Sequence, residues 1–291
     1  MEFQVAAFYR FVPLSGLPAL KTRLETLCRA QAIRGTILIA QEGINGTVAG
    51  APASVAALLD ALDEEAGIRR GEVKLSSADR APFARLKVRI RPEIITMRAP
   101  EADPSRRVGT YVEPADWNAL IAAPGTLLLD TRNRYETRVG TFEGAVDPQI
   151  DAFTAFKRYA QEHLDPARDE TIAMFCTGGI RCEKASAYLL ARGFRNVFHL
   201  KGGILAYLEQ VPAEESRWQG DCYVFDGRVA VGHGVAPAQW GACHGCGAPL
   251  STDDRASAEY EPGVSCPQCR AQLTPAKAAS LRMRHRQITG G

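Results

Sequence analysis

A strand, a glycine turn and a helix surround one cysteine, and this arrangement constrains the fold more than any other part of the sequence. The apolar run Thr171–Phe175 ends directly before Cys176, and Gly178 and Gly179 separate that cysteine from a segment rich in helix formers. Strands that lead through tight turns into helices build parallel sheets with helices on both faces, and ligands bind at the carboxyl edge of such sheets. The sequence therefore predicts an α/β fold with Cys176 at the ligand-binding edge.

The loop between Cys176 and Arg181 predicts a reactive thiol. Its glycines let successive backbone N–H groups turn inward, and the first turn of the helix adds unsatisfied N–H groups and a positive dipole end. Arg181 is expected to add a permanent positive charge at the rim of the loop. The alternative, true of most free cysteines, is an inert thiol buried at a strand end. The loop residues are Thr177, Gly178, Gly179 and Ile180.

The length of this loop separates two enzyme classes that hold a cysteine in this way. Cysteine phosphatases place five residues between their cysteine and arginine, and this chain has one fewer between Cys176 and Arg181. The shorter loop resembles that of rhodaneses, which carry sulfur on the cysteine as a persulfide. That resemblance implies that Cys176 and Arg181 are catalytic.

The flanks of the loop carry the same resemblance. Upstream, a strand ends in Asp130 and Arg132 and is followed by Glu136, as in the opening motif of rhodaneses. Downstream, a closing strand ends in a Gly-Gly turn at 202–203. The match covers about residues 108–215 and implies a rhodanese-like parallel-sheet domain, in which Asp130 and Arg132 support the loop.

Length and composition limit what the rest of the chain can be. Its 291 residues suffice for two or three domains, and 46% hydrophobic with 23% charged residues is typical of a globular protein. No apolar run approaches the roughly 18 residues needed to span a bilayer, and the N-terminus lacks a signal peptide. We therefore predict a cytoplasmic protein with no membrane association.

Residues 1–96 read as a small α+β domain of the ferredoxin or acylphosphatase type. Between two of its strands, Asn45-Gly46 predicts a hairpin turn, because both positions tolerate positive φ. A polar, proline-bearing linker from 97 to about 110 follows. The predicted strands lie near 5–12, 35–40, 47–49, 73–75 and 85–90, and the predicted helices near 17–31 and 54–65.

A row of cations marks the last strand of this domain. Side chains alternate across a strand, so four basic residues face one side and three apolar residues the other. Residues 67–110 contain eleven basic and five acidic residues, and this excess favours binding of RNA phosphates. The alternative is a solvated edge strand that its cations protect from aggregation. The candidate RNA-binding residues are Arg85, Lys87, Arg89 and Arg91.

The C-terminal part, residues 216–291, predicts a small cysteine-rich module. Two Cys-x-x-Cys pairs lie nineteen residues apart, a spacing typical of a structural zinc knuckle with four thiolate ligands. The alternative is a redox dithiol. The tail 270–291 has five basic and no acidic residues and is expected to be a disordered arm with phosphate affinity or simply a solvated tail. The four candidate metal ligands are Cys243, Cys246, Cys266 and Cys269.

The order of these parts resembles one family, the bacterial tRNA uridine hydroxylases that contain a rhodanese domain. The resemblance rests on the motifs EGINGT at 42–47, CTGGIRCEK at 176–184 and CYVFD at 222–226, together with the cysteine pairs. It implies an oxidoreductase that hydroxylates C5 of the wobble uridine of tRNA, with molecular oxygen as co-substrate and Cys176 as the redox centre. Cys182 is then either a resolving thiol or a residue that only packs in the helix.

Two other functions are compatible with the sequence. A plain rhodanese-type sulfurtransferase would move sulfur through a persulfide on Cys176, but it would need neither the basic strand nor the cysteine pairs. An RNA-binding module with an inert rhodanese domain would need neither Cys176 nor Arg181. The sequence contains no flavin, haem or nucleotide motif, and no obligate protein partner is evident.

Overall fold

The computed structural model describes residues 3–289. A small α+β unit, a parallel-sheet unit and a cysteine-rich part follow one another in the predicted order. Met1 and Glu2, which the first predicted domain included, lie outside the described residues. Within that range no helix combines the length and apolarity that crossing a bilayer requires.

The first unit is a five-stranded sheet with two helices on one face. The strand order is β4-β1-β3-β2-β5, and β5 runs parallel to β2 while the other pairs are antiparallel. Leucines of both helices, including Leu24 and Leu58, pack on the sheet around Phe8 and Ile37. The opposite face carries no helix and is free to line a site. The elements are β1 (Phe3–Phe11), α1 (Leu17–Ala30), β2 (Arg34–Ala40), β3 (Gly43–Gly50), α2 (Pro52–Ala66), β4 (Lys74–Ala78) and β5 (Leu86–Ile90).

The predicted hairpin exists, but the position of its turn was wrong. Strands β2 and β3 pair from Ala40 and Gly43 outward, so the turn lies at 41–42 and Asn45-Gly46 lies inside β3. The amide of Asn45 instead donates a hydrogen bond to the carbonyl of Ile94, at 3.1 Å. A side chain at Gly46 would come within 2.6 Å of the Phe8 ring. Asn45 therefore binds the segment at Ile94, and Gly46 leaves room for the Phe8 ring, so neither residue forms a turn.

The cationic strand β5 lies at the edge of this sheet. Val88 is buried, but Ile90 is 41% exposed, so the apolar face is shorter than predicted. β5 pairs with β2 on one side, and within residues 3–289 no strand of the sheet covers its other side. An apolar side chain on such an edge strand has fewer neighbours, which accounts for the exposure of Ile90.

The second unit is a four-stranded, fully parallel sheet with helices on both faces, as predicted. The strand order is β6-β10-β9-β7. Ile172 and Met174 pack with α5 and α6 on one face, whereas Ala173 and Phe175 pack with α3 and α7 on the other. The elements are β6 (Thr110–Val112), α3 (Pro114–Ala122), β7 (Thr126–Asp130), α4 (Arg134–Thr137), β8 (Gly140–Phe142), α5 (Phe156–His163), β9 (Thr171–Phe175), α6 (Ile180–Ala191), β10 (Asn196–Leu200) and α7 (Gly203–Gln210).

The segment between the two units is packed rather than free. Met97, Ala99 and Ala102 are buried and belong to the core formed by α5, α6 and β9. The polar sequence around them concealed these apolar anchors, which attach the connection to the second unit.

The C-terminal part consists of short strand pairs and two helices. Strand β11 pairs with β8 of the second unit, and β12 with β13 and β14 with β15 form further ribbons. The predicted disordered arm is instead a helix, because Ala278 and Leu281 pack against Val264 and Leu273. Gly290 and Gly291 of that predicted arm lie outside the described residues. The elements are β11 (Trp218–Gly220), β12 (Cys222–Tyr223), β13 (Ala230–Val231), β14 (Gly241–Ala242), β15 (Pro249–Leu250), α8 (Thr252–Ala256) and α9 (Pro275–Thr289).

Candidate active site and metal centre

Cys176 lies directly after β9, at the carboxyl edge of the parallel sheet, and α6 begins four residues later. The backbone N–H of Gly179 donates a hydrogen bond to its sulfur at 3.2 Å. Gly179 has a φ of 102°, and a side chain there would come within 2.7 Å of the Tyr9 hydroxyl. Glycine is therefore required both by the turn and by the close approach of β1.

The surroundings of Cys176 favour its thiolate. Burial opposes ionisation, but the Cys182 thiol, the charge of Arg181 and the backbone N–H groups of Cys182 and Gly179 outweigh it and lower the pKa of Cys176 to about 5. In contrast, burial and the neighbouring Cys176 raise the pKa of Cys182 well above its usual value. The two thiols thus divide into one anion and one neutral donor at neutral pH.

Arg181 is not at the rim of the loop, where the sequence placed it. Its side chain is buried, and its two terminal nitrogens bind the two oxygens of Glu136 at 2.6 and 2.7 Å. Burial alone would raise the pKa of Glu136, yet the Arg181 guanidinium lowers it overall. A buried arginine needs such a partner, and Glu136 comes from α4, 45 residues away in sequence.

Asp130 and Arg132 form a second buried ion pair beneath the loop. Arg132 donates to both oxygens of Asp130, with the shortest contact at 2.6 Å, and to the carbonyl of Gly140, also at 2.6 Å. Its guanidinium lies 5.1 Å from the centre of the Trp218 ring. These contacts tie the end of β7 to β8 and β11, which fits a supporting role.

The Gly-Gly turn at 202–203 supports the loop 176–181, called the active loop below, from behind. The N–H groups of Ile204 and Leu205 donate to the carbonyls of Cys176 and Thr177 at 3.0 and 3.1 Å. A side chain on Gly203 would come within 2.5 Å of the Cys176 carbonyl. The start of α7 therefore fixes the backbone of the loop.

Cys182 lies in the first turn of α6 and points back into the core. Its sulfur is 3.4 Å from the Thr131 hydroxyl, which itself donates to the carbonyl of Phe175 at 3.0 Å. Both predicted uses of Cys182, packing and partnership with Cys176, are compatible with this position.

A cleft of about 920 Å³ lies between the helix-free face of the first sheet and the Cys176 loop. Tyr9, Leu38 and Asn45 line it from the first unit, and Cys176 and Phe225 line it from the other side. Its size matches that of small-molecule sites in proteins. Cys176 therefore lines a chamber that the first unit, the second unit and the C-terminal part build together.

The first unit is fastened to the helix that follows the active loop. Lys184 of α6 is buried and binds Glu42 at 2.8 Å, with Glu93 at 3.6 Å. The Tyr9 hydroxyl donates to Glu183 at 2.6 Å, and burial together with the Glu183 charge raises the pKa of Tyr9. Charged and polar groups from both units thus meet next to Cys176.

Only one of the four predicted RNA-binding cations reaches this cleft. Arg91 lines it, together with Arg98, which was not predicted. Arg85, Lys87 and Arg89 lie outside the cleft, with Lys87 and Arg89 in β5 and Arg85 directly before it. Among the described residues, neither Arg91 nor Arg98 forms a salt bridge. Lys74 lines the cleft too, so three cations of residues 67–110 lie in the cleft and a row of others lies beside it.

The four predicted metal ligands come together. The sulfurs of Cys243 and Cys269 are 4.0 Å apart, those of Cys246 and Cys266 are 3.7 Å apart, and all four lie within 4.8 Å of one another. All eight cysteines lie within residues 3–289, and none of them is in a disulfide. This cluster can hold a metal ion.

The cysteine cluster is attached to the second unit through Asp254. That carboxylate accepts hydrogen bonds from Arg138 at 2.6 Å and from Gln268 at 2.9 Å. Gln268 lies within the second Cys-x-x-Cys pair. The module with the four cysteines is therefore docked beside α4, which carries Glu136.

Known families match both parts of the fold. Residues 3–94 match the UPF0176 acylphosphatase like domain, and residues 113–210 match the rhodanese-like domain. A protein of Mesorhizobium japonicum named tRNA uridine(34) hydroxylase is 50% identical over 285 residues, which cover 98% of this chain and 92% of that protein. The chain belongs to the tRNA uridine(34) hydroxylase family. A Brucella suis member is 49% identical and covers 99% of this chain and 94% of its own length.

Solved structures are similar to single parts of this tRNA uridine(34) hydroxylase family member. A rhodanese-like domain from an Anabaena protein is 24% identical, covers 38% of this chain and 78% of its own, and has a TM-score of 0.31. An acylphosphatase from Coxiella burnetii is 14% identical, covers 30% of this chain and 93% of its own, and has a TM-score of 0.24.

Sequence reasoning missed several residues of the site in this family member. Tyr9 meets the loop from the first strand of the chain, and no local pattern marks it. Lys184 and Phe225 lie in the quoted motifs at 176–184 and 222–226, but no role in the site was predicted for them. Glu136 was available as part of the opening motif. A buried arginine needs a carboxylate partner. If Arg181 had been predicted to be buried, Glu136 of the opening motif would have been a candidate for that partner.

Proposed function

We propose that this protein is an enzyme that hydroxylates uridine 34 of tRNA at C5. The observation that carries the proposal is the identity of about 50% over nearly the whole chain to proteins named for that activity. The site supports it, because a thiolate at Cys176 faces a cleft with cations at its side. Work on tRNA would place the enzyme in the cytoplasm.

Within this proposal Cys176 is the redox centre and Arg181 holds the loop through Glu136. Asp130, Arg132 and the loop residues 177–180 keep the sulfur at the floor of the cleft. Molecular oxygen is the co-substrate: one of its atoms becomes the new hydroxyl, and the other leaves as water with two electrons and two protons from a thiol reductant. The unit that begins near residue 1 and ends near 96 binds RNA through its cationic edge.

We assign zinc to the four-cysteine cluster. A tetrahedral zinc with sulfur ligands at about 2.3 Å requires sulfurs about 3.8 Å apart. The closest sulfur pairs here are separated by 3.7 to 4.0 Å. Its role is structural, because four thiolates leave no open position for substrate.

The direct test is modification of tRNA by the purified protein under air. We expect nucleoside mass spectrometry to find 5-hydroxyuridine at position 34 of tRNA from a strain lacking the gene after incubation with enzyme and a thiol reductant. Incubation without oxygen should leave the uridine unmodified. Rapid sulfur transfer from thiosulfate with no change in tRNA would instead establish the sulfurtransferase alternative.

The cationic edge strand gives a second prediction. Reversal of Arg85, Lys87 and Arg89 to glutamate should weaken tRNA binding roughly 10- to 100-fold and lower the slope of log affinity against log salt by about 2, because three phosphate contacts and their released counterions are lost. Filter binding over a range of salt concentrations measures both. At saturating tRNA the rate should be nearly unchanged, because the three side chains lie outside the cleft.

A matched control reverses three exposed arginines of the second unit that lie outside both the edge strand and the cleft, namely Arg158, Arg192 and Arg195. This variant should bind tRNA nearly as well as the wild type. Equal weakening by both triple variants would show that only net charge matters, and the edge strand would then be a solvated face.

A further inference from the structure

Phe225 presents a bare aromatic ring to the cleft that contains Cys176. The residue is 55% exposed, an unusual state for phenylalanine, and it lines the cleft from the C-terminal part of the chain. An exposed aromatic ring at a concave site generally indicates a ligand that covers it. Nothing in the proposed chemistry of Cys176 accounts for this ring.

The ring is held in place from behind. Tyr223 packs edge-on against Phe225 at 5.2 Å between ring centres, and Tyr135 packs in the same way against Tyr223, also at 5.2 Å. The Arg181 guanidinium lies 5.9 Å from the centre of the Phe225 ring. The ring therefore rests on the ion pair that supports the active loop.

The loop that carries Phe225 is braced against the first unit as well. Arg228 and Asp226 form a buried ion pair at 2.6 Å, and Arg228 also donates to the Ser76 hydroxyl at 2.7 Å. The N–H of Gly227 donates to the carbonyl of Pro82 at 2.8 Å. Both anchors follow Phe225 directly in sequence, so the ring is exposed on a fixed support rather than on a free loop.

The chemistry of the cleft selects a nucleobase as the occupant. Nucleobases are flat and stack on aromatic rings, and single-stranded RNA is commonly bound by such stacking together with cations that contact phosphates. Arg91 and Arg98 are two exposed cations in this cleft, and Lys74 lines it as well. A base in an anticodon loop must leave its neighbours to reach a buried sulfur such as that of Cys176.

We propose that Phe225 is the platform on which the target uracil stacks after it has left the anticodon stack. The inference rests on the proposed function and names how that substrate is positioned. Phe225 holds the base over the active loop, and Arg91 and Arg98 hold the flanking phosphates. Phe225 is thus a substrate-positioning residue that acts through the face of its ring.

The test is a double-mutant cycle between Phe225 and the base at position 34. The probe is a synthetic anticodon stem-loop with either uridine or an abasic residue at that position. The wild type should bind the uridine form about 5- to 150-fold more tightly, which is the range of one base on one aromatic ring. Phe225→Ala should bind both forms equally, and Phe225→Trp should restore the preference.

Phe225→Leu distinguishes stacking of the base on a ring from burial of the base against any apolar side chain, because leucine keeps apolar area but has no ring face. We expect it to behave like Phe225→Ala, in both the binding preference and the rate of hydroxylation. Val146→Ala, which removes side-chain bulk from another exposed apolar position outside the cleft, should behave like the wild type.

The outcomes distinguish this inference from the function on which it rests. If the wild type hydroxylates tRNA and Phe225→Leu retains the full preference for uridine, the platform is wrong and the function stands. A wild type that binds the uridine and abasic forms equally contradicts the platform as well. If the wild type neither binds nor modifies tRNA, both proposals fall.

Discussion

Replacement of Cys176 by serine should abolish hydroxylation of uridine 34 and leave the fold intact. Serine keeps the size of the side chain but cannot form a thiolate or a persulfide near neutral pH. We expect the rate to fall by roughly 1,000-fold or more, as is common when a covalent or redox centre is lost. Nucleoside mass spectrometry measures the product, and circular dichroism with thermal unfolding checks the fold.

Cys28→Ala is the matched control, because Cys28 is also a buried free thiol but lies in the core of the first unit. It should retain activity once any loss of stability is taken into account. Cys182→Ser should cost less than Cys176→Ser. An equal loss at Cys176 and Cys182 would indicate that the two thiols act as a redox pair, whereas a fully active Cys176→Ser would rule out the assigned centre.

The lowered pKa of Cys176 makes the same assignment testable by pH. A thiol with a pKa of about 5 remains a thiolate at every pH above that value and is protonated below it. Alkylation of Cys176 by iodoacetamide, followed by peptide mass spectrometry, should therefore be half-maximal near pH 5. A midpoint near the ordinary value for cysteine would show that the loop does not stabilise the anion.

Purified protein should contain about one zinc ion per chain, and loss of one ligand should unfold the module around it. Structural zinc sites contribute on the order of 10–16 kcal/mol to folding, so Cys266→Ala should release the metal and destabilise residues 241–273. Elemental analysis measures the metal. Hydrogen exchange should show the loss of protection in those residues, while β9 and α6 remain protected.

Cys28→Ala again serves as the control and should keep its zinc. Protein that contains no metal, with the cluster cysteines free or joined in disulfides, would contradict the zinc assignment. Equal deprotection of β9 and α6 in Cys266→Ala would show instead that the module is needed for the fold of the second unit, through the contact of Asp254 with Arg138.

The parts of the site that depend on neighbouring residues could be predicted from the sequence. The turn after β9 requires Gly179 at positive φ, and the two Cys-x-x-Cys pairs each present two sulfurs by local geometry. Continuous apolar runs such as Thr171–Phe175 likewise placed strands of the parallel sheet. In each case the chemistry is complete within a few residues, so sequence spacing contains the information.

The predictions were wrong where residues distant in sequence determine the position of a side chain or the conformation of a segment. Arg181 looked like a rim charge because its partner, Glu136, lies in another helix. Asn45 and Gly46 looked like a turn because their contacts with Ile94 and Phe8 are not visible in a local pattern. The tail looked disordered because only two apolar residues of α9 make its packing face, a pattern too sparse to indicate a helix.

The attachment of the first unit to α6 has a consequence for how RNA is chosen. Swinging that unit away would break the Lys184–Glu42 pair, the Tyr9–Glu183 hydrogen bond and the contact of Arg228 with Ser76 together. These contacts hold the walls of the cleft together before any substrate arrives, so we expect the work of deformation to fall on the nucleic acid. Selectivity among tRNAs would then follow the stiffness of the anticodon loop as well as its sequence, with pliable loops favoured over well-stacked ones.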